Sequence, residues 1–428
     1  MKMTLPNYNL SLLGKKIAFS TMVQYAGKIL QIVIAMISLK LISNFLTQEG
    51  YGVYASITEY VLFFSTVANL GIFGNVVKNM ADSPNDTVIF VNALFVRAIS
   101  GLFFFIIAIG ICILNGSGEM FIIGTALFCS AILFDFMTSV CDGMLQANYL
   151  MGRATMALVI GRLIQVAALF WVVKNVGSLE QFWILGATLL GSFFTFGLSL
   201  FLVAQKMQIS WQIQWAKMVI FFKKSLPYGV IFVINNLYFR FIPGYLAYHF
   251  LSNAHFASFN ISFRISQVLS LASTFLMFSA LPGLREYISG KHCEKAKKLF
   301  LYLQKLLLGG GIALVVIGSI AGPYVITLLT HAKYNLSGFW FMFPLMLILA
   351  AISYGYDLVF LSLFAAGKDV WFMWREFIGL AISCIFFIAS FFIEDMTQKM
   401  ILILLGAIAG EAIMVILGTI KMKKFFQS

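Results

Sequence analysis

Eight basic and six acidic side chains of this chain fall within, or at the edges of, long apolar segments. The bases are Lys28, Lys40, Arg97, Arg162, Arg240, Arg264, Lys305 and Arg375; the acids are Glu59, Asp135, Asp142, Asp357, Glu376 and Glu411. Facing lipid at a helix centre, each would cost roughly 2.5–3.5 kcal/mol, so they should face a cavity or one another. Helical phase agrees. Gln24, Lys28 and Gln31 share one face, as do Glu59, Thr66 and Asn69. Asp135, Ser139, Asp142 and Gln146 form a polar stripe; Asn236 and Arg240 are one turn apart, and Arg264 stands with Gln267. Arginine keeps its charge and presents a planar fork that matches phosphate oxygens. A cavity richer in arginine than in acid attracts an anion. The candidate binding residues are therefore Lys28, Arg97, Asn236, Arg240, Arg264 and Gln267. Glu59, Asp135, Asp142 and Asp357 are the candidates for gating or ion coupling. Arg375 and Glu376, with Lys40 and Lys305, are read as snorkelling toward a membrane edge.

Enzymatic chemistry finds no equivalent support. There is no GxxxxGK[ST] stretch and no paired catalytic carboxylates in a loop. Cys112, Cys129, Cys141, Cys293 and Cys384 lack metal-ligand spacing, and His249 and His255 read as interfacial residues. No catalytic residue, metal or cofactor is expected.

The elements that must hold these charges are membrane helices. The 428 residues are 61% hydrophobic and only 11% charged, against about 25% charged in a soluble domain. Apolar runs of helical length recur, whereas a barrel would alternate. Twelve spans are expected, near 17–46, 53–77, 87–114, 120–147, 154–174, 180–205, 225–250, 257–287, 299–329, 338–365, 370–393 and 398–420. With that assignment eighteen basic residues lie on one side and three on the other, which puts both termini in the cytoplasm. The net charge of +13 is thus a topology signal rather than a nucleic-acid footprint. All seven tryptophans fall near span ends, as an aromatic belt requires. The opening MKMTLPNYNLSLLGKK lacks the order of a cleavable signal, so the first span is expected to be retained.

Lys206–Pro227 separates six spans from six. Trp211, Trp215, Met218 and Phe222 recur at helical spacing opposite lysines and glutamines, which predicts an interfacial helix. The expected organisation is an N-terminal lobe over 1–205, a cytoplasmic interfacial linker helix over 206–224 and a C-terminal lobe over 225–428. Lys15-Lys16 and Lys223-Lys224 precede the first and seventh spans, and NFLTQEGYGVYASITEY (44–60) aligns with HFLSNAHFASFNISFRI (249–265). An even six-span repeat relates the halves by an axis along the membrane normal, with a binding site between them. In this alignment Glu59 and Arg264 are equivalent, and a pair facing across the halves would close a gate, neutralise an empty cavity or fix helix packing.

Several stretches resemble the multidrug/oligosaccharidyl-lipid/polysaccharide (MOP) exporter superfamily, specifically its Wzx-type polysaccharide flippases. They are FLTQEGYGVYA (45–55), KKSLPYG (223–229), ALPGLREYISGKHCEKAKKLF (280–300) and GPYVITLLTHAKY (322–334). The resemblance spans essentially the whole chain. It implies an all-α polytopic, MATE-like fold of twelve transmembrane helices in two pseudo-symmetric six-helix lobes around a central cavity. It also implies alternating access of an undecaprenyl-pyrophosphate-linked oligosaccharide in a bacterial inner membrane, for cell-surface polysaccharide synthesis. Lys28, Glu59, Asn236, Arg240 and Arg264 lie on the corresponding cavity spans. The expected partners are that substrate, membrane lipids, a polysaccharide polymerase and a chain-length regulator. Energy would come from an H+ or Na+ gradient or from downstream consumption of product. Alternatives are an ion-coupled multidrug antiporter of the same superfamily, using Asp135 or Asp142, and a lipid II flippase, which typically carries two extra C-terminal spans.

Overall fold

A computed structural model describes residues 10–69, 86–148, 150–176, 180–289, 293–330, 342–366 and 369–427. Lys2, Lys78, Lys291, Lys333, Lys368 and Trp340, which enter the charge and tryptophan patterns, lie outside the described residues, as does the side chain of Gln24. The elements are helical throughout: α1 (Leu10–Phe45), α2 (Gln48–Asn69), α3 (Thr87–Leu114), α4 (Glu119–Ala147), α5 (Met151–Asn175), α6 (Glu180–Ala204), α7 (Trp215–Asn236), α8 (Ile242–Phe250), α9 (Asn253–Ser289), α10 (Cys293–Thr330), α11 (Met342–Ala365), α12 (Asp369–Ala389) and α13 (Met396–Phe425). A five-residue π turn, Leu237–Phe241, joins α7 directly to α8.

Local signals account for several boundaries. Asp86 caps α3 by accepting from the backbone N–H groups of Val88 and Ile89 at 3.0 and 3.1 Å. Asp395 does the same for α13 at Gln398, 2.7 Å away. The α3–α4 connection turns on Gly116, whose φ of +64° favours glycine.

Among the described residues, nine helices are long and apolar enough to cross a membrane: α1 from Ala26, α3, α4, α5, α6, α10, α11, α12 and α13. The protein is a multi-pass membrane protein. Twelve spans were expected, and the three outside this set are α2, α7–α8 and α9. Those three carry Glu59, Asn236, Arg240 and Arg264. The π turn leaves α8 only nine residues long, whereas Lys28, Arg97, Asp135, Asp142 and Asp357 lie on helices of the nine-helix set.

The chain divides into two compact units, Met1–Phe45 with Tyr60–Val230, and Leu46–Glu59 with Ile231–Ser428. The expected lobes placed 46–59 with the N-terminal half; here it packs with the C-terminal one. In the first unit α3 packs on α4, α4 on α6, and α5 on α6 and α1. In the second α10 packs on α11, α11 on α13 and α9, and α12 on α13. Three of these pairings therefore recur in the same order: α3–α4, α4–α6 and α5–α6 as α10–α11, α11–α13 and α12–α13. A shared device supports it: a Cβ at Gly191 of α6 would press on the Gly161 carbonyl of α5, and a Cβ at Gly410 of α13 on the Gly379 carbonyl of α12. Small residues let membrane helices approach closely without a hydrophobic driving force.

The linker helix expected over 206–224 forms only from Trp215 onward. Residues 208–214 have no helical structure. Buried Asn92 of α3 donates from Nδ2 to the Gln212 carbonyl at 3.2 Å and accepts from the Gln214 N–H at 2.8 Å. These bonds satisfy the linker backbone in a non-helical path. Trp211 and Trp215 stay exposed while Met218 joins the first unit's core.

Candidate functional site

The second unit gathers the most concentrated charge. Thr47 starts α2, where its hydroxyl accepts from the Gly50 N–H at 3.0 Å. Two residues later, a Cβ at Gly52 would overlap the backbone of Asn253, at the first turn of α9. Only glycine permits that approach, which brings the α2 segment ending at Glu59 alongside α9. This gives the Gly-Tyr-Gly stretch a packing role.

Arg240 arrives from the π turn. Pro243 has no N–H to give to the Phe239 carbonyl. The neighbouring Ile242 N–H bonds instead to Leu237, five residues back. Such π bulges frequently occur at functional sites.

At this meeting point Glu59 accepts from both ends of the Arg240 fork, Nε to Oε2 and NH2 to Oε1, each 3.2 Å. Arg264 NH2 lies 3.7 Å from Oε1, and Asn260 donates to the same oxygen at 3.3 Å. Arg264 also bonds the Thr58 hydroxyl at 2.5 Å and stands over the Tyr54 ring at 5.6 Å. Two guanidiniums share one carboxylate, so the cluster carries one excess positive charge. It is not sealed: side-chain exposure is 29% for Arg240 and 24% for Arg264, against 11% for Glu59.

The polar stripe continues along α9. Arg264 Nε, Asn260 Oδ1 and Gln267 Nε2 are buried without a hydrogen-bond partner among the described residues. Further on, Ser273 and Thr274 donate to Asp357 of α11 at 2.6 and 2.7 Å. Asn236 lies at the end of α7, one turn before Arg240. The arrangement can hold an oxyanion in place of the Glu59 carboxylate, because guanidinium forks bind carboxylate and phosphate with the same geometry.

A family model described as "Polysaccharide biosynthesis protein" matches residues 13–288, more than half of the chain. The chain belongs to that family. No curated protein matches it. Solved structures share its architecture at 14% identity. One is an inward-facing multidrug resistance MATE family transporter of the MOP superfamily, covering 95% of this chain and 98% of that chain at a TM-score of 0.73. An outward-facing one covers 96% of each at 0.72. A third is a MOP superfamily transporter from Pyrococcus furiosus, covering 96% of each at 0.71. Its description reports a binding pocket of reverse polarity that suggests a different function for that protein. The fold of this polysaccharide biosynthesis family member is that of MOP-superfamily transporters.

The first unit holds the remaining candidates in separate settings. Arg97 is 3% exposed, donates to the Asn69 carbonyl and Ser139 hydroxyl at 3.3 and 3.4 Å, and stands 4.4 Å from the Phe136 ring centre. Asp135 of α4 lies 3.7 Å from Arg162 of α5, which continues through Gln165 to Thr188 at 2.8 and 3.1 Å. Asp142 Oδ1 is buried with no hydrogen-bond partner among the described residues. Lys28 is half-buried on α1.

Arg375 and Glu376 do not snorkel. Both side chains are fully buried, 2.7 Å apart, and Tyr356 donates to the same carboxylate oxygen at 3.1 Å. The Arg375 guanidinium stands 5.0 Å from the Tyr356 ring centre. Glu411 of α13 is also buried, and its Oε2 has no hydrogen-bond partner among the described residues. Adjacent helix positions do not normally face each other; here burial between α11 and α13 turns both long side chains inward. Sequence reasoning also passed over Asn260, Thr58 and Tyr54. Asn260 sits one turn before Arg264 on the same face of α9, so helical phase was a signal for it.

Proposed function

We propose that this protein is a flippase that moves a lipid-linked oligosaccharide, carried on undecaprenyl pyrophosphate, across the bacterial cytoplasmic membrane for cell-surface polysaccharide synthesis. The observation that carries this reading is the sharing of Glu59 between Arg240 and Arg264, which leaves an excess positive charge that is partly accessible. A pyrophosphate offers oxygens in the geometry those forks take and more negative charge than one carboxylate. Substrate would displace Glu59 from the guanidiniums. Asn260 and Gln267 would hydrogen-bond the nearest sugar or phosphate oxygens. On release, Glu59 would return to Arg240, so that the empty protein does not keep two bare guanidiniums while it resets by alternating access. The prenyl chain would remain in lipid. Both termini would face the cytoplasm, where positive charge collects. A polysaccharide polymerase and a chain-length regulator would act on the delivered unit. Family membership supports the polysaccharide context.

The test is translocation in liposomes of a fluorescent pyrophosphate-linked oligosaccharide lipid, read by quenching of externally exposed headgroups. An Arg240→Gln, Arg264→Gln double variant that still folds should lose transport at least tenfold. A double variant as fast as wild type would remove the cluster from the mechanism.

A second reading, an ion-coupled multidrug antiporter, draws on the buried Glu376 and Glu411, two acids served by the single guanidinium of Arg375. Resistance to cationic compounds on expression, lost in Glu411→Gln, would favour it over the flippase.

A further inference from the structure

Away from the charge cluster, the N-terminal end of α10 and the C-terminal end of α13 enclose a cavity of about 150 Å3. Its lining is Lys297, Phe300 and Leu301 from α10, with Lys423, Phe426 and Gln427 from the end of α13. The Phe300 and Phe426 rings meet at 5.6 Å and form an apolar floor. Lys297 and Lys423 are exposed, and neither has a carboxylate partner among the described residues. Lys295, Lys298 and Lys424 add exposed positive charge nearby, while Lys421 stands over the Trp371 ring at 5.6 Å.

The surface leading away from this cavity is as informative as its mouth. In α10 only 11% of the span is buried within the protein, the lowest share among the nine candidate spans. Leu301, Leu308 and Ile312 are exposed on one face of α10, with exposed Lys305 between the first two, and form a largely apolar track that begins in the cavity wall. The basic mouth stands at the membrane edge to which the positive charge of the sequence assigns the cytoplasm.

We infer that this cavity binds the headgroup of an anionic glycerophospholipid, with its phosphate between Lys297 and Lys423 and an acyl chain along Leu301, Leu308 and Ile312. Charge complementarity selects the phosphate, since basic pockets between membrane helices at the cytoplasmic face hold anionic headgroups. The hydrocarbon-facing track selects a lipid over a free anion. The cavity volume suits one headgroup rather than a folded peptide. By bridging α10 to α13, the lipid ties together two helices whose other contacts run through α11. The inference requires the membrane location alone and stands apart from the identity of the transported substrate.

Thermal unfolding of the purified full chain in detergent tests it, with phosphatidylglycerol, phosphatidylcholine or inorganic phosphate added. Phosphatidylglycerol should raise the Tm of wild type while phosphatidylcholine and phosphate leave it in place. A Lys297→Gln, Lys423→Gln variant should keep the lipid-free Tm, because both lysines are exposed, and should need at least tenfold more phosphatidylglycerol for the same rise, because the direct charged partners of the phosphate inside the cavity are lost. A Lys295→Gln, Lys298→Gln variant, which removes equal charge outside the cavity, should respond as wild type. Equal loss in both variants would reduce the effect to general surface charge and overturn the site. An equal Tm rise with inorganic phosphate would overturn the lipid assignment. An unchanged response of the Lys297, Lys423 variant would overturn the proposal entirely.

Discussion

Glu59 and Arg240, 181 residues apart in the chain, form a two-point ion pair in which both Arg240 donors reach one carboxylate at 3.2 Å. The pair exists because α2 breaks its allegiance at residue 59: the segment up to Glu59 packs with the second unit. Glu59→Gln would leave two guanidiniums facing each other without an anion. Removing one partner of a fully buried pair costs about 3–5 kcal/mol. Both arginines are about a quarter exposed, so solvent screening reduces the expected loss to about 1–2 kcal/mol. Adding Arg240→Gln should recover part of it. Unfolding of the four proteins in a double-mutant cycle should give a coupling energy of about 1 kcal/mol or more; strict additivity would dissolve the pair.

Gly52 is where α2 and α9 touch most closely. A methyl group there meets the Asn253 backbone, which cannot swing aside as a side chain can. Gly52→Ala should destabilise the protein by about 1–3 kcal/mol, the range for overpacking a tight contact. Because the strain displaces α2 against α9, it should also weaken the Glu59–Arg264 contact. Comparing the Tm of Gly52→Ala with Gly186→Ala provides the control, since a Cβ at Gly186 meets nothing within 4 Å. Equal effects at the two glycines would mean that helix propensity, not close approach, governs position 52.

Much of this arrangement was legible in the sequence, and the residues show why the rest was not. Charges inside apolar runs had to face one another, and the repeat alignment of 44–60 with 249–265 brought Glu59 and Arg264 into correspondence. They meet at 3.7 Å. What no periodicity could reveal is that 46–59 packs with the second unit, since that depends on a tertiary contact at Gly52. The linker misled for a related reason. Trp211, Trp215, Met218 and Phe222 do have helical spacing, yet Asn92, more than a hundred residues away, satisfies the backbone at Gln212 and Gln214 in another conformation. Snorkelling of Arg375 and Glu376 was a reading by depth alone. Their buried partner Tyr356 lies on α11, and nothing in the local sequence announces it.

Asn92 makes its own case for testing. The residue is 5% exposed, and its amide uses both ends on the linker. Asn92→Leu removes those bonds and leaves the Gln212 carbonyl and Gln214 N–H to water. Stability should fall by about 1–2 kcal/mol. The sharper readout is local: limited proteolysis between Lys206 and Lys217 should accelerate several-fold in the variant. An unchanged cleavage rate there would show that the core contacts of Met207, Ile209 and Met218 hold the linker without Asn92.

The Arg375–Glu376 pair separates two consequences of burying charge. Glu376→Gln removes the carboxylate 2.7 Å from a guanidinium with 0% side-chain exposure, and losing one partner of such a pair should cost about 3–5 kcal/mol. Arg375→Met combined with Glu376→Leu removes both charges and keeps the volume apolar. Buried pairs are often replaceable in this way with little loss, because the desolvation of both ions disappears together. The double variant should therefore unfold at a higher temperature than Glu376→Gln alone, although it carries more substitutions. If it instead falls further, the pair is needed for more than mutual neutralisation, and Tyr356 and Glu411 become the groups to test. Glu411→Gln then distinguishes the two cases. It keeps size and hydrogen-bonding capacity while removing one of the two acids around Arg375, so a purely structural network should tolerate it within about 1 kcal/mol. Loss of transport in that variant, with the Tm intact, would assign the network to ion coupling.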